Sequence, residues 1–522
     1  MRFAALLFAF ACCCVAAAAA AAAQPYQPNW QSLDSRPIPD WYDRAKFGIF
    51  IHWGVYSVPA WSVVGDYAEW YWERLESDTT GVYQAFHNKT YGPNFKYQDF
   101  AAMFKAELFD PDTWADVIAR SGAKYVVPTS KHHEGFTNWP SSVSWNWNSV
   151  DVGPHRDIIG ELFTAFRKRN LHAGMYFSLF EWYNPLYTGP NPEEYVDEIM
   201  TPQLHDIINT YQPDLLWTDG EWMQNSSFWK SPDFLAWLFN SSPVKDKIVI
   251  NDRWGEETRG VHGGFYTAEY SAQVFLNHKW EENSGLDLHS FGYNRMTPAE
   301  LYLTALDVIT LLVRCVCNGG NLLLDIGPSA DGRIPELQQE RLLEIGAWLD
   351  INGEAIYNTS IWTVQQSELV FPFNYSSPAE PRFISRRYAD INNFEIPAGT
   401  SSDTTVLLGS GVKTYEECQY LCTKNSTCLS FTWYSAAVTN GFALMCYGRI
   451  DEAYEPASLV GAFSGRMEFY RVSYTQNVET QLLYAIVLPW PGASVILPSD
   501  QYRANFDRGV CGLGGTAPLP GS

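Results

Sequence analysis

The sequence predicts an α/β protein: a (β/α)8-like (TIM) barrel over residues 24–350, then a C-terminal β-sandwich interrupted by a small disulfide-bonded module. Three observations predict the barrel. From about residue 40 to 330, short runs that are apolar on both faces alternate with helical stretches, as strands of a covered parallel sheet require. Polar and aromatic residues gather at the C-terminal ends of those runs, the edge where barrels build their sites. No glycine-rich phosphate loop follows the first run, which argues against an open dinucleotide-binding sheet.

In chain order, residues 1–23 read as a cleaved targeting segment: Arg2, an apolar run, and alanines through Ala23 before Gln24-Pro25. The strands expected next are Phe47–His52, Tyr125–Thr129, Ala173–Leu179, Leu215–Thr218, Ile248–Asn251, Phe265–Ala268 and Leu322–Ile326. Helices are expected at Pro111–Arg120, Ile158–Arg169 and Pro298–Val316. The last has Thr297 as N-cap, Pro298 at the first position, Glu300 closing a capping box and Gly319 at the stop. Beyond about residue 350 the chain becomes β-rich, Pro/Ser/Thr-rich and cysteine-bearing. Residues 351–375 and 471–500 read as the two parts of the sandwich, 376–470 as an insertion and 501–522 as a flexible tail.

A chain of 522 residues with 46% hydrophobic and 18% charged residues can bury a large core. Its formal charge of −23 excludes nucleic-acid backbones and anionic membrane surfaces as natural partners. The 21 Trp and 30 Tyr supply flat rings on which the C–H faces of sugars stack, although rings also simply fill large cores. Six glycosylation sequons, at Asn88, Asn225, Asn240, Asn358, Asn374 and Asn425, fit a secretory chain. Cys315 and Cys317 fall on one helix, where i and i+2 point apart and do not bridge. Cys418, Cys422, Cys428 and Cys446 cluster as two disulfides would, with their pairing open.

The strand ends carry the chemistry. Glycoside cleavage needs two carboxyl groups, one as nucleophile or base and one as proton donor. Asp219, between Trp217 and Trp222 and followed by Gly220, is the best nucleophile candidate. Glu269, among aromatic neighbours that would desolvate it, is the best acid/base. Glu221, Glu181, Glu134 and Asp252 are rivals that spacing does not exclude. His132-His133 invites a metal, but no H-E-x-x-H or cysteine set accompanies the pair and neighbours on a strand face opposite ways. Hydroxyl donors are therefore expected there, with Arg253 and Glu69 as further clamps, and no metal or other cofactor.

The strings WYDRAKFGIFIHWGVYSVPAW from Trp41, KHHEGFTNWPS, VGPHRDIIGEL, LLWTDGEW, NDRWG and GGNLLLDIGP occur in the order found in the α-L-fucosidases, glycoside hydrolase family 29. The chain resembles that family, nearest its animal tissue (lysosomal) type, over about residues 28–365. The resemblance implies a retaining exo-α-L-fucosidase acting on fucosylated glycoproteins, glycolipids or polysaccharides, secreted or lysosomal, and a homo-oligomer. It implies Asp219 as nucleophile and Glu269 as acid/base. His52, Glu69, Trp70, His132, His133, Tyr176, Trp217 and Arg253 would bind fucose. Between Ile361–Pro372 and Leu482–Pro498, which look like halves of the family's sandwich, the cysteine cluster resembles a PAN/apple-type module, usually a protein- or carbohydrate-binding unit.

Overall fold

The computed structural model describes residues 25–270, 277–374, 384–386, 405–410, 430–434, 445–449, 462–479 and 482–488. The expected leader (1–23), Cys418, Cys422, Cys428, Asn425 and the tail 501–522 lie outside them.

Eight strands form one parallel sheet: β1 Phe47–Ile51, β2 Tyr125–Lys131, β3 His172–Ser178, β4 Leu215–Asp219, β5 Val249–Ile250, β6 Tyr266–Glu269, β7 Trp280–Gly285 and β8 Gly320–Ile326. Their order is β5-β4-β3-β2-β1-β8-β7-β6. The two edges then meet, because Phe265 N donates to Ile250 O at 3.1 Å and Gly264 N to Asn251 O at 3.2 Å. These two bonds close the barrel along a β5/β6 seam. Gly264 is required there, since a Cβ would lie 1.9 Å from Ile250 O.

Every second strand residue faces inward. Phe50, Tyr125, Val127, Tyr176, Leu215, Trp217, Val249, Phe265 and Leu323 pack a dry interior, closed from below by Tyr42 of the helix Asp40–Ala45. The alternate residues, such as Ile49, Val126, Met175, Leu216 and Leu324, pack outward in a second, larger apolar layer with helical residues such as Ile118, Leu162 and Leu312. Strands β1 to β5 and β8 are therefore buried on both faces, which is why most of their residues read as apolar runs. The helices Pro111–Arg120, Ile158–Lys168, Thr201–Tyr211, Ser231–Asn240, Ala305–Cys317 and Glu336–Asn352 lie between or after strands. Among the described residues no helix joins β5 to β6 or β6 to β7, so the alternation is less regular than expected.

Two expectations are corrected. Strand β7, sequence WEENSG, is fully buried yet too polar to read as a strand. The helix expected from Pro298 starts at Ala305: Thr304 is the N-cap and accepts from Asp307 N, while Asp307 completes the capping box. Around Pro298 there is only a short 3-10 turn, Ala299–Leu301, and residues 302–304 run extended before the cap. Cys315 and Cys317 are both buried on this helix.

Past the barrel, the described strands join one antiparallel sheet. β9 Thr359–Asn374, β10 Ile384–Arg386, β11 Thr405–Ser410, β12 Ser430–Tyr434, β13 Met445–Arg449 and β14 Ala462–Asn477 run in the order β10-β9-β14-β12-β13-β11, and β15 Leu483–Leu488 pairs with β14. Cys446 falls on β13, and Asn374 ends β9. Among the described residues no helix is long and apolar enough to cross a membrane.

Candidate active site

The inward positions at the C-terminal ends of the strands converge on one cluster. Asp219 is the last residue of β4 and Glu269 the last of β6. Arg253, three residues beyond β5, lies between them. Its Nη1 donates to Asp219 Oδ1 at 2.8 Å and its Nη2 to Glu269 Oε2 at 2.9 Å. Both carboxylates thus sit on one planar guanidinium, which limits the distance between the bonded oxygens to about 8 Å. Arg253 Nε donates to Thr267 Oγ1 at 3.0 Å, and its guanidinium lies 4.5 Å from the centre of the Trp217 ring.

Asp219 is only 8% exposed and also accepts from Tyr176 OH at 2.9 Å. Burial, the largest single influence, would raise its pKa, but the charge and hydrogen bond of Arg253, with lesser contributions from His133 and Arg259, together outweigh it and hold the carboxyl well below the usual carboxylate range. It is therefore an ionised nucleophile in a nearly dry pocket. Glu269 keeps 31% of its side chain exposed and stands at the more open side of the cluster.

The other expected residues surround this pair. His133 Nε2 lies 3.6 Å from Asp219 Oδ2, too far for a hydrogen bond. Ser178 Oγ donates to Phe180 O, so it accepts from His133 Nδ1–H at 2.7 Å. Burial, then His132, holds His133 uncharged, so its Nε2 lone pair faces the pocket as an acceptor. His52 Nδ1 and Asp325 Oδ1 are 2.7 Å apart. Burial pushes the first well below and the second well above its ordinary pKa, so the contact is a hydrogen bond between uncharged groups, not an ion pair. Glu69 accepts from Gly292 N at 2.8 Å and Ser290 Oγ at 3.2 Å, yet burial still raises its carboxyl to about 7.

The expectation that His132 and His133 face opposite ways is wrong. β2 ends at Lys131, so strand alternation no longer applies, and the two rings sit 4.2 Å apart in the same cluster. His132 also stacks on Tyr176 at 5.8 Å. Trp70 packs 5.4 Å from His133 and 5.1 Å from Trp182. Among the described residues no three His, Cys, Asp or Glu side chains group so as to hold a metal ion.

The rival carboxylates separate by what already occupies them. Glu181 is spent on Lys131 and Asn184, at 3.0 and 2.8 Å. Asp252 accepts from Thr267 N, Thr267 Oγ1 and Gly260 N. Glu134 lies 3.3 Å from His132 without the alignment of a hydrogen bond. Glu221 pairs with Arg259 at 3.1 Å, and burial raises it to about 7. Only Glu269 shares a cation with Asp219 by direct hydrogen bonds.

Several residues escape the sequence reading. Phe291 stacks on His52 at 5.0 Å and on Tyr67 at 5.9 Å, giving the pocket an apolar wall. Nothing in SFGYNR announces it. Asp325 and Glu281 sit inside strands, where a carboxylate within an apolar or buried run was the available signal. Of the sequons, Asn88 and Asn225 are exposed, and Asn358 is half-buried. The Asn240 amide is already engaged in both directions with the Tyr26 backbone, at 2.9 and 2.8 Å.

Comparison with known proteins identifies the family. A family model described as Alpha-L-fucosidase matches residues 13–354. Tissue alpha-L-fucosidase of Rattus norvegicus is 48% identical over 394 residues, covering 74% of this chain and 84% of that one. Alpha-L-fucosidase of Dictyostelium discoideum is 52% identical over 354 residues, 66% of this chain and 76% of that one. The crystal structure of Thermotoga maritima alpha-fucosidase superposes with a TM-score of 0.59 at 33% identity, covering 84% of this chain and 99% of that chain. The same enzyme has been solved in complex with fucose, where the match has a TM-score of 0.58, 31% identity and covers 85% of this chain and 100% of that one.

Proposed function

The chain belongs to the α-L-fucosidase family and is a glycoside hydrolase, and from that premise we propose that it is a retaining exo-enzyme releasing terminal α-L-fucose by double displacement. The observation that carries this reading is the single guanidinium of Arg253 hydrogen-bonded to Asp219 and Glu269 together. A retaining mechanism needs carboxyl groups about 5–5.5 Å apart, and a shared guanidinium, which limits the bonded oxygens to about 8 Å, is compatible with that spacing.

Asp219, ionised by Arg253, attacks the anomeric carbon, while Glu269 protonates the departing glycosidic oxygen. A sugar entering between them displaces the Arg253–Glu269 arm and frees Glu269 for that oxygen. Water then attacks the fucosyl-enzyme with Glu269 as base. His52, Glu69, Trp70, His132, His133, Tyr176, Trp217 and Arg253 hold the fucose ring, the unprotonated His133 Nε2 accepting from a sugar hydroxyl. The Phe291 wall suits the methyl group that distinguishes fucose from other hexoses.

The substrates in this reading are fucosylated glycans, and the enzyme is a homo-oligomer of the secretory pathway, delivered outside the cell or to lysosomes after removal of residues 1–23. Exposed Asn88 and Asn225 are the sequons best placed to carry glycans. The stretch 376–470 remains a PAN/apple-like unit with its own glycan or protein ligand, carried between sandwich segments 351–375 and 471–500. The mechanism is tested by proton NMR of the product during turnover of an aryl α-L-fucoside. α-Fucose formed first supports retention, and β-fucose formed first overturns it.

A further inference from the structure

We infer that Glu281 is a positioning residue for this reaction: from the closed end of the barrel it fixes the indole on which the Arg253 guanidinium lies. The inference rests on the reading above, in which Asp219 attacks and Arg253 orients it. Glu281 lies on β7, is 0% exposed and reaches the sugar site only through Trp217. Its Oε1 accepts from Trp217 Nε1–H at 3.0 Å. Its Oε2 accepts from Tyr42 OH at 2.7 Å and Tyr125 OH at 2.6 Å. Three neutral donors from three elements thus spend themselves on one buried carboxyl, with no cation bonded to it. Lys279, just before β7, is instead bonded to Asp43 at 2.7 Å. Burying a carboxyl in this way is costly, and an apolar side chain would fill the space more cheaply. The backbone is also shaped for it: a Cβ on Gly48 would lie 2.4 Å from the Tyr125 ring, so glycine at 48 lets that ring cross the barrel floor to Glu281.

What the cluster secures is Trp217. One face of its surroundings is Tyr176, stacked at 5.8 Å and 20°, and another is the Arg253 guanidinium at 4.5 Å. Tyr176 and Arg253 are the two residues that hydrogen-bond to Asp219. Both ties on the nucleophile therefore rest against one ring. An indole held only by van der Waals contact rocks about its side-chain torsions, whereas the N–H to Glu281 bond fixes the ring in its plane. The groups facing Glu281 are Tyr42, Tyr125, Trp217 and, at longer range, Lys279. Those facing Asp219 are Arg253, His133, Tyr176, Glu221 and Arg259. His52 also faces Asp219, and Trp217, bonded to Glu281 and lying against Arg253, links the two sets.

The test compares wild type, E281Q, Y42F/Y125F/E281L and D219A, all in the full-length protein, by kcat/KM for an aryl α-L-fucoside between pH 3 and 8 and by thermal unfolding. E281Q keeps an oxygen acceptor for the indole N–H, and the tyrosine hydroxyls rotate to accept from the amide. Its kcat/KM is expected within about threefold of wild type. The triple variant removes the acceptor without orphaning the hydroxyls. It is expected to fold and to lose about tenfold in kcat with KM little changed, as Arg253 drifts from Asp219. A folded triple variant with the wild-type kcat overturns the inference, as does an E281Q variant as impaired as the triple. Activity surviving in D219A would instead overturn the reading of the site itself.

Discussion

Replacing Arg253 by methionine tests the charge arrangement most directly. The guanidinium lies 2.8 Å from Asp219 Oδ1 and 2.9 Å from Glu269 Oε2, in a site where both Arg253 and Asp219 are buried. At a charge separation of ~4 Å and an effective dielectric near 20, the Arg253–Asp219 attraction is about 4 kcal/mol. That equals about three pH units in the carboxyl's titration. With the cation gone, burial acts unopposed by its chief counterweight, and Asp219 rises from well below the usual carboxylate range to near or above it. The expected result is an acid limb of kcat/KM, absent from the wild-type profile above about pH 3, that appears near pH 4–5 in R253M. At pH 5 kcat/KM falls by roughly 10²–10³. R253K, which keeps the charge but only one arm, lies between. The assay is the pH–rate profile of an activated aryl fucoside, with unfolding followed in parallel to confirm that the variants remain folded. An R253M profile whose acid limb coincides with that of the wild type would refute the claim that Arg253 sets the ionisation of the nucleophile.

Asp219→Ala should lower kcat by at least about 10³ while unfolding cooperatively like wild type, and added azide should restore turnover as β-fucosyl azide; no rescue would count against its nucleophilic role. Glu269→Ala should slow substrates with poor leaving groups by about 10² and activated aryl fucosides far less, so an equal loss on both would assign the proton to another residue. Glu69 has a folded-state pKa raised by burial from 4.5 to about 7, so its protonated form stabilises the fold fully below pH 4.5 and that stability is lost as pH rises through 7. Wild type should lose up to about 3 kcal/mol from this group between pH 5 and 7.5, and Glu69→Gln should not; equal pH dependence in denaturant titrations would refute it. Thr304→Ala removes the cap that Thr304 and Asp307 make reciprocally, at 3.2 and 2.9 Å, and should cost about 1 kcal/mol with activity intact.

The barrel was legible because its strands are apolar on both faces, and the pair of acids because each ends a strand. Asp219 and Glu269 lie at the last positions of β4 and β6, where inward alternation delivers a side chain to the open end. β7 was illegible for the opposite reason. Its WEENSG carries Glu281, whose carboxyl is satisfied across the barrel by Tyr42, Tyr125 and Trp217, and no local pattern reveals a partner 64 to 239 residues away. Thr297-Pro298 looked like a helix start because both residues favour one, yet Thr304 with Asp307 supplies the capping hydrogen bonds and the helix begins there. The histidine pair was misread by extending strand alternation one residue past the strand. Phe291 was missed because an aromatic residue in a loop is a pocket wall only once the fold brings His52 and Tyr67 to it.

The seam where β5 meets β6 has a consequence for the chemistry. Only two main-chain bonds span it, at Gly264 and Phe265, and Arg253 stands on one bank with Glu269 on the other. The guanidinium is thus a rivet across the weakest line of the wall. When a sugar takes Glu269 from that rivet, the bound ligand must itself bridge the two banks. Occupation of the pocket is expected to steady this seam, so amide exchange at residues 264 and 265 should slow when a fucose mimic binds.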